Sequence, residues 1–110
     1  MMQSSAIDAL SALAHKTRLE VFRLLVQEGP SGLPAGDIAE NLDVLQNTMS
    51  SHLAILTNAG LVSRVREGRV IRYCADYKTM QSLITYLLED CCKGEKLICH
   101  PFLDKKAMNC

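Results

Sequence analysis

The stretch MSSHLAILTNAGLVSRVREGRVIRYCAD, Met49 to Asp76, decides how this chain is read. Met49, Leu53 and Leu56 recur at spacings of four and three, the period of a helix that buries one apolar face. Gly60 closes that helix. Beyond it, LVSRVR and RVIRYC alternate in character on either side of Glu67-Gly68, the pattern of two strands joined by a two-residue turn. The alternation puts Arg64 and Arg66 on one face of the first strand. Residues 61 to 72 hold four arginines (Arg64, Arg66, Arg69, Arg72) against the single acid Glu67, a local balance of four minus one, or +3. A helix with a polar outer face is therefore followed by a basic hairpin.

Upstream, a short helix from Ala35 to Leu42, a brief turn at Asp43 and Val44, and a longer helix from Gln46 to Ala59 give helix-turn-helix spacing. The apolar positions of the longer helix leave Gln46, Asn47, Ser50, Ser51 and Ala54 pointing away from the core. Two more helices come first. Ala6, Ala9, Leu10 and Leu13 share one face, and RLEVFRLLV runs from Arg18 to Val26 before EGPSG (Glu28 to Gly32) stops it. Downstream, Asp76 is suited to cap a final helix in which Tyr77, Met80, Ile84, Leu87 and Cys91 recur at spacings of three, four, three and four. Such a seam calls for a partner helix. Gly94 is a natural stop, which places Cys91 and Cys92 in the last turn, ahead of an irregular tail broken by Pro101.

At 110 residues the chain fits one compact domain, small enough to gain stability from dimerisation. Residues 1-92 form the expected core domain and residues 93-110 a tail. Twelve basic and twelve acidic side chains cancel, which argues against a protein that coats nucleic acid or membranes non-specifically. No apolar run approaches the length of a membrane span, and no signal-peptide pattern opens the chain. Four of the five cysteines crowd toward the C-terminus, with only Cys74 apart from them, unlike a disulfide framework; a reducing cytoplasm is the expected setting. Cys91, Cys92 and Cys99 put three thiols within nine residues, and soft sulfur ligands select soft, thiophilic ions.

The order helix, helix, helix-turn-helix, basic hairpin, final helix is that of a winged helix. LSALAHKTRLEVFRLL (Leu10 to Leu25), GLPAGDIAENL (Gly32 to Leu42) and the stretch from Met49 to Asp76 resemble, in order and spacing, the signatures of the ArsR/SmtB family of metal-responsive repressors. The resemblance implies a mainly α fold with a β-hairpin wing (α+β), dimerised through its first and last helices. It implies a repressor that sits on an imperfect inverted repeat in double-stranded operator DNA and leaves when an inducer ion binds. Two departures stand out. Leu45 occupies the place where the recognition helix usually has a Ser-like cap. The first helix-turn-helix segment, AGDIAENLD, lacks the cysteine run of the family's best-known arsenic site. The cysteines are similar instead to those of arsenite-responsive members with an adjacent pair and a third cysteine after the final helix, here Cys91, Cys92 and Cys99.

As(III) or Sb(III) forms three pyramidal bonds to sulfur, so three cysteines match it in number. Six residues separate Cys92 from Cys99, and at ~3.3 Å per residue that loop is long enough to fold back. A site within one subunit or shared between two is open. A thiol-based redox switch, or a response to another soft metal (Cd, Zn or Pb), is the alternative for the same residues; Lys93 and Lys96 partly offset the helix C-terminus that disfavours thiolate. His100 is an available fourth ligand for zinc, although structural zinc sites seldom use adjacent cysteines. Cys110 is an optional extra thiol and Cys74 a small core residue. For DNA, Gln46, Asn47, Thr48, Ser50, Ser51 and His52 have the size and chemistry to hydrogen-bond bases and phosphates, with Arg66 and Arg69 nearest the hairpin turn reaching the backbone or minor groove. An enzyme built on the adjacent thiols would lack CxxC, a βαβ unit and a placed base; no catalytic residue is expected.

Overall fold

A computed structural model describes residues 1 to 89. Two helices, α1 (Gln3–Leu13) and α2 (Lys16–Glu28), precede a two-residue strand β1 (Leu33–Pro34), then α3 (Ala35–Leu42) and α4 (Gln46–Asn58). The hairpin β2 (Val62–Glu67) and β3 (Val70–Ala75) follows, and α5 (Tyr77–Leu87) ends the described chain. The strands form one antiparallel sheet in the order β1-β3-β2. One core joins all the helices to the base of the hairpin, with Val21, Leu25, Ile38, Leu53, Leu56 and Leu61 at its centre.

The helix starts show why some boundaries were hidden. α2 begins two residues before Arg18 because the His15 ring caps it, Nδ1 accepting the Thr17 N–H at 3.1 Å. Asp76 caps α5 as expected, its carboxylate accepting from the Thr79 N–H at 3.1 Å, and Ser63 donates to the other oxygen at 3.2 Å. That second bond ties the final helix to β2. On α1, Ala6, Ala9 and Ala12 are buried, whereas Leu10, expected on their face, is 43% exposed.

Other expectations need correcting. The hairpin turn is Gly68-Arg69 rather than Glu67-Gly68, because Glu67 pairs with Val70. Gly68 has φ +62, and glycine at the first turn position supplies the positive φ of a hairpin turn whose twist matches the strands. Cys74 is not a core residue. Alternation along β3 sends Tyr73 and Ala75 inward, leaving Cys74 half-buried with its thiol donating to the Pro30 carbonyl at 3.4 Å. β1 has no counterpart in the sequence reading: two residues, one a proline without an N–H, carry no alternation. It pairs Leu33 with Tyr73 and Pro34 with Arg72. Gly32, just before it at φ +62, lies so close to Tyr73 that a Cβ there would collide with the Tyr73 carbonyl and the Cys74 sulfur.

α5 also departs from the expected seam. Leu83 is its buried residue, and Tyr77 and Met80 pack on this chain's own core, with the Tyr77 hydroxyl donating to the Val26 carbonyl at 3.3 Å. Leu87 remains 54% exposed and Ile84 half-buried. The helix closes at Leu87 with Leu88 as C-cap, well before Gly94. Cys91, Cys92, Cys99, His100 and Cys110 lie outside the described residues, as does the expected tail from residue 93.

Candidate nucleic-acid interface

The helix-turn-helix is held from beneath by the core. Ile38 and Ala39 of α3 and Met49, Leu53 and Leu56 of α4 are buried, and Leu42 and Val44 pack around them. Asp43, in the left-handed region at φ 54, reverses the chain between the helices, its N–H bonding back to Ala39 and Glu40 carbonyls. α4 then starts at Gln46 with Leu45 as N-cap, 79% exposed, and no side chain caps the helix. The first amides of α4 therefore face outward without a side-chain acceptor, where a helix N-terminus favours negative charge.

Of the residues singled out from sequence, Gln46, Asn47, Thr48, Ser50 and Ser51 are all exposed on α4, together with Ala54. The two serine hydroxyls donate back along the helix, Ser50 to the Gln46 carbonyl at 3.0 Å and Ser51 to that of Asn47 at 3.4 Å. Their lone pairs stay available, and the donors can be re-aimed by rotation about one bond. The face is small, polar and uncharged. It suits insertion between the phosphate walls of a major groove, where its edge is read by hydrogen bonds.

The wing divides its arginines. Arg72 pairs with Glu67 at 3.4 Å and donates to the Ser31 and Gly32 carbonyls at 3.3 and 3.4 Å, so it holds the wing to the loop after α2. Arg66 curls over the turn, its Nε donating to the Gly68 carbonyl at 3.0 Å. Arg69 sits in the turn itself, exposed, and Arg64 is likewise exposed. Subtracting the Arg72–Glu67 pair leaves Arg64, Arg66 and Arg69, three free positive charges on the projecting hairpin.

His52 is half-buried at the edge of the α4 face, and it brings in two residues that the sequence reading passed over. Its ring lies 4.7 Å from that of His15, centroid to centroid, tilted by 48°. An Arg18 guanidinium nitrogen is 3.4 Å from its Nδ1, while Arg18 Nε donates to the Ala12 carbonyl at 2.6 Å. Burial first, then the charges of His15 and Arg18, pushes the His52 pKa below the usual imidazole value. The signal was present in the sequence as the run His15-Lys16-Thr17-Arg18, three basic side chains in four residues at a helix start. Among the described residues no cluster of His, Cys, Asp and Glu has the makings of a metal site.

A polar helix face, an uncapped helix start and a flanking cationic hairpin define a winged helix-turn-helix DNA-binding protein. Comparison with known proteins agrees. A helix-turn-helix domain family matches residues 13–65. The transcriptional repressor SdpR of Bacillus subtilis is 32% identical over 88 residues, covering 80% of this chain and 94% of its own. A putative arsenical resistance operon repressor ArsR of Halobacterium salinarum is 37% identical over 67 residues, 61% of this chain and 51% of its own length. The solved structure of an ArsR-like transcriptional regulator from Rhodococcus sp. RHA1 superposes with TM-score 0.69 at 27% identity, over 94% of this chain and 92% of that one. The chain belongs to the ArsR family of winged helix-turn-helix transcriptional regulators. Members of that family regulate transcription by binding DNA, and no helix among the described residues is long and apolar enough to cross a membrane.

Proposed function

We propose that the protein is a cytoplasmic, homodimeric repressor that releases its operator when trivalent arsenic or antimony binds Cys91, Cys92 and Cys99. The carrying observation is the three thiols in nine residues directly after α5, a number that matches the three bonds of the ion. Two features support the dimer. α1 packs on α5, and both helices leave apolar side chains in solvent: Ile7 and Leu10 from α1, with Met2 at its N-cap, and Leu87 from α5. A second subunit covering them would set two α4 helices at a fixed separation, matching half-sites about one DNA turn (~34 Å) apart. Ion capture just past α5 changes how that face packs, and with it the separation of the two helices.

Cys91→Ser, Cys92→Ser and Cys99→Ser should each leave operator binding intact and abolish its loss in arsenite or antimonite, read by gel shift on reduced protein. A variant that still lets go in arsenite removes that cysteine from the site. Running cadmium, lead, zinc and peroxide beside arsenite assigns the trigger: release by peroxide alone means a redox switch, and release by cadmium, lead or zinc alone a different soft-metal sensor.

A further inference from the structure

The His15, Arg18 and His52 cluster has a chemistry that neither the α4 face nor the wing provides. Arginine can only donate, so His52 Nδ1, 3.4 Å from the Arg18 guanidinium, is the acceptor and the ring proton sits on Nε2. His15 Nδ1 likewise accepts, from the Thr17 N–H, which assigns its proton to Nε2 as well. Neither Nε2 has a hydrogen-bond partner among the described residues. Arg18 is held by the Ala12 carbonyl, yet no carboxylate reaches it: the one ion pair among the described residues is Arg72–Glu67. Asp8 lines the same open hollow of about 310 Å³ as Arg18, outside ion-pair distance. Two imidazole N–H donors and an uncompensated guanidinium thus stand at one edge of α4. Thr48, exposed, is one helical turn from His52 along that edge.

We propose that His15, Arg18 and His52 form a site for a DNA backbone phosphate, gripping one wall of the groove that α4 enters. The proposal rests on the DNA-binding reading above and adds an anchor to the one the wing supplies. In the free protein, burial, His15 and Arg18 disfavour the charged form of His52. A phosphodiester carries one negative charge. When the Arg18 N–H turns from His52 Nδ1 to a phosphate oxygen, that nitrogen is free to take a proton from solvent, and the anion beside it favours the imidazolium. Binding then takes up a proton, so affinity rises as pH falls through the imidazole range.

The test uses the full chain with two duplexes, one selected by the protein from a random pool and one unrelated, titrated from low to moderate salt at pH 7.5 and 6.0. Arg18→Gln should weaken binding to both duplexes alike, by about tenfold at low salt, and reduce the salt slope by about one unit. His15→Asn with His52→Gln, in which asparagine keeps the cap of α2, should abolish the wild-type gain in affinity at pH 6.0. An Arg18→Gln protein that melts like the wild type and keeps the full slope overturns the site. If that variant fails to fold, the double variant decides: retention of the pH-dependent gain overturns the proposal equally. Gln46→Ala should lose affinity only for the selected duplex. Wild-type protein that binds neither duplex sinks the DNA-binding reading itself, a different failure from either variant result.

Discussion

The two ends of this molecule are finished to different degrees. At the α3-α4-wing end the side chains beneath the polar face are covered, Ile38, Met49, Leu53 and Leu56 being at most 1% exposed, while Leu45 at 79% and Val65 at 53%, left in solvent, stand at the helix start and on the wing. At the α1-α5 end, Ile7 is 56% and Leu87 54% exposed although both sit on regular helices. One chain covers the underside of the first end alone. The second leaves apolar side chains in solvent, which fits the homodimer proposed above, since a copy of the same surface would meet it in the simplest symmetric way. The difference teaches that a single chain finishes the surface from which DNA is read, while the α1-α5 face stays open to the partner proposed above.

That contrast can be broken most severely at the unfinished end. Ile7→Asp with Leu10→Asp should leave the fold intact, abolish self-association in sedimentation, and lower operator affinity by about a thousandfold, because the second half-site contact is no longer tethered to the first. A dimeric double variant would place the interface elsewhere. At the finished end the effect is on folding. Leu53→Ala should cost about 3 kcal/mol by denaturant titration, the range for a fully buried leucine, whereas Leu87→Ala should change the monomer's stability little. Equal losses at the two positions would erase the comparison. The smallest effect concerns His52, between the two ends. Its folded pKa lies below the unfolded value of about 6.5, so its contribution is fully present above that pH. As pH falls below about 6.5 the unfolded chain takes up the proton first, and stability declines until the folded pKa is passed. The difference in denaturation midpoint between pH 7.5 and 5.5 should shrink in His52→Gln.

Much of this was legible in the residues themselves. The spacing of Met49, Leu53 and Leu56 located α4 and its outward face because a single buried stripe on a helix has one reading. The strand alternation and Gly68 located the hairpin, but a glycine in a two-residue turn can stand first or second, and that choice slid the turn by one residue. One cue was local but unusual, and another was not local. His15 as a cap is unusual, so α2 was read as starting late, and with it the pairing of His15 and Arg18 with His52 went unseen. That contact joins residues 34 or more apart in sequence. The α5 seam was half right for a similar reason: period alone cannot say whether Tyr77 and Met80 meet a partner or their own core. The residue pattern carried the winged-helix order, the resemblance added the family, and the cysteines on which the expected inducer rests fall past residue 89.

The short strand β1 has a further consequence. It stitches the entrance of α3 to the middle of the wing, and Gly32 leaves room for no side chain at that stitch. Arg72 adds a second fastening between the same two segments. Wing and helix-turn-helix are thereby fastened into one head rather than set side by side as two jointed fingers. A signal arriving from the far end of the molecule has nothing to bend in that head. In the proposed dimer it would act by changing how far apart, and at what angle, two such heads are held.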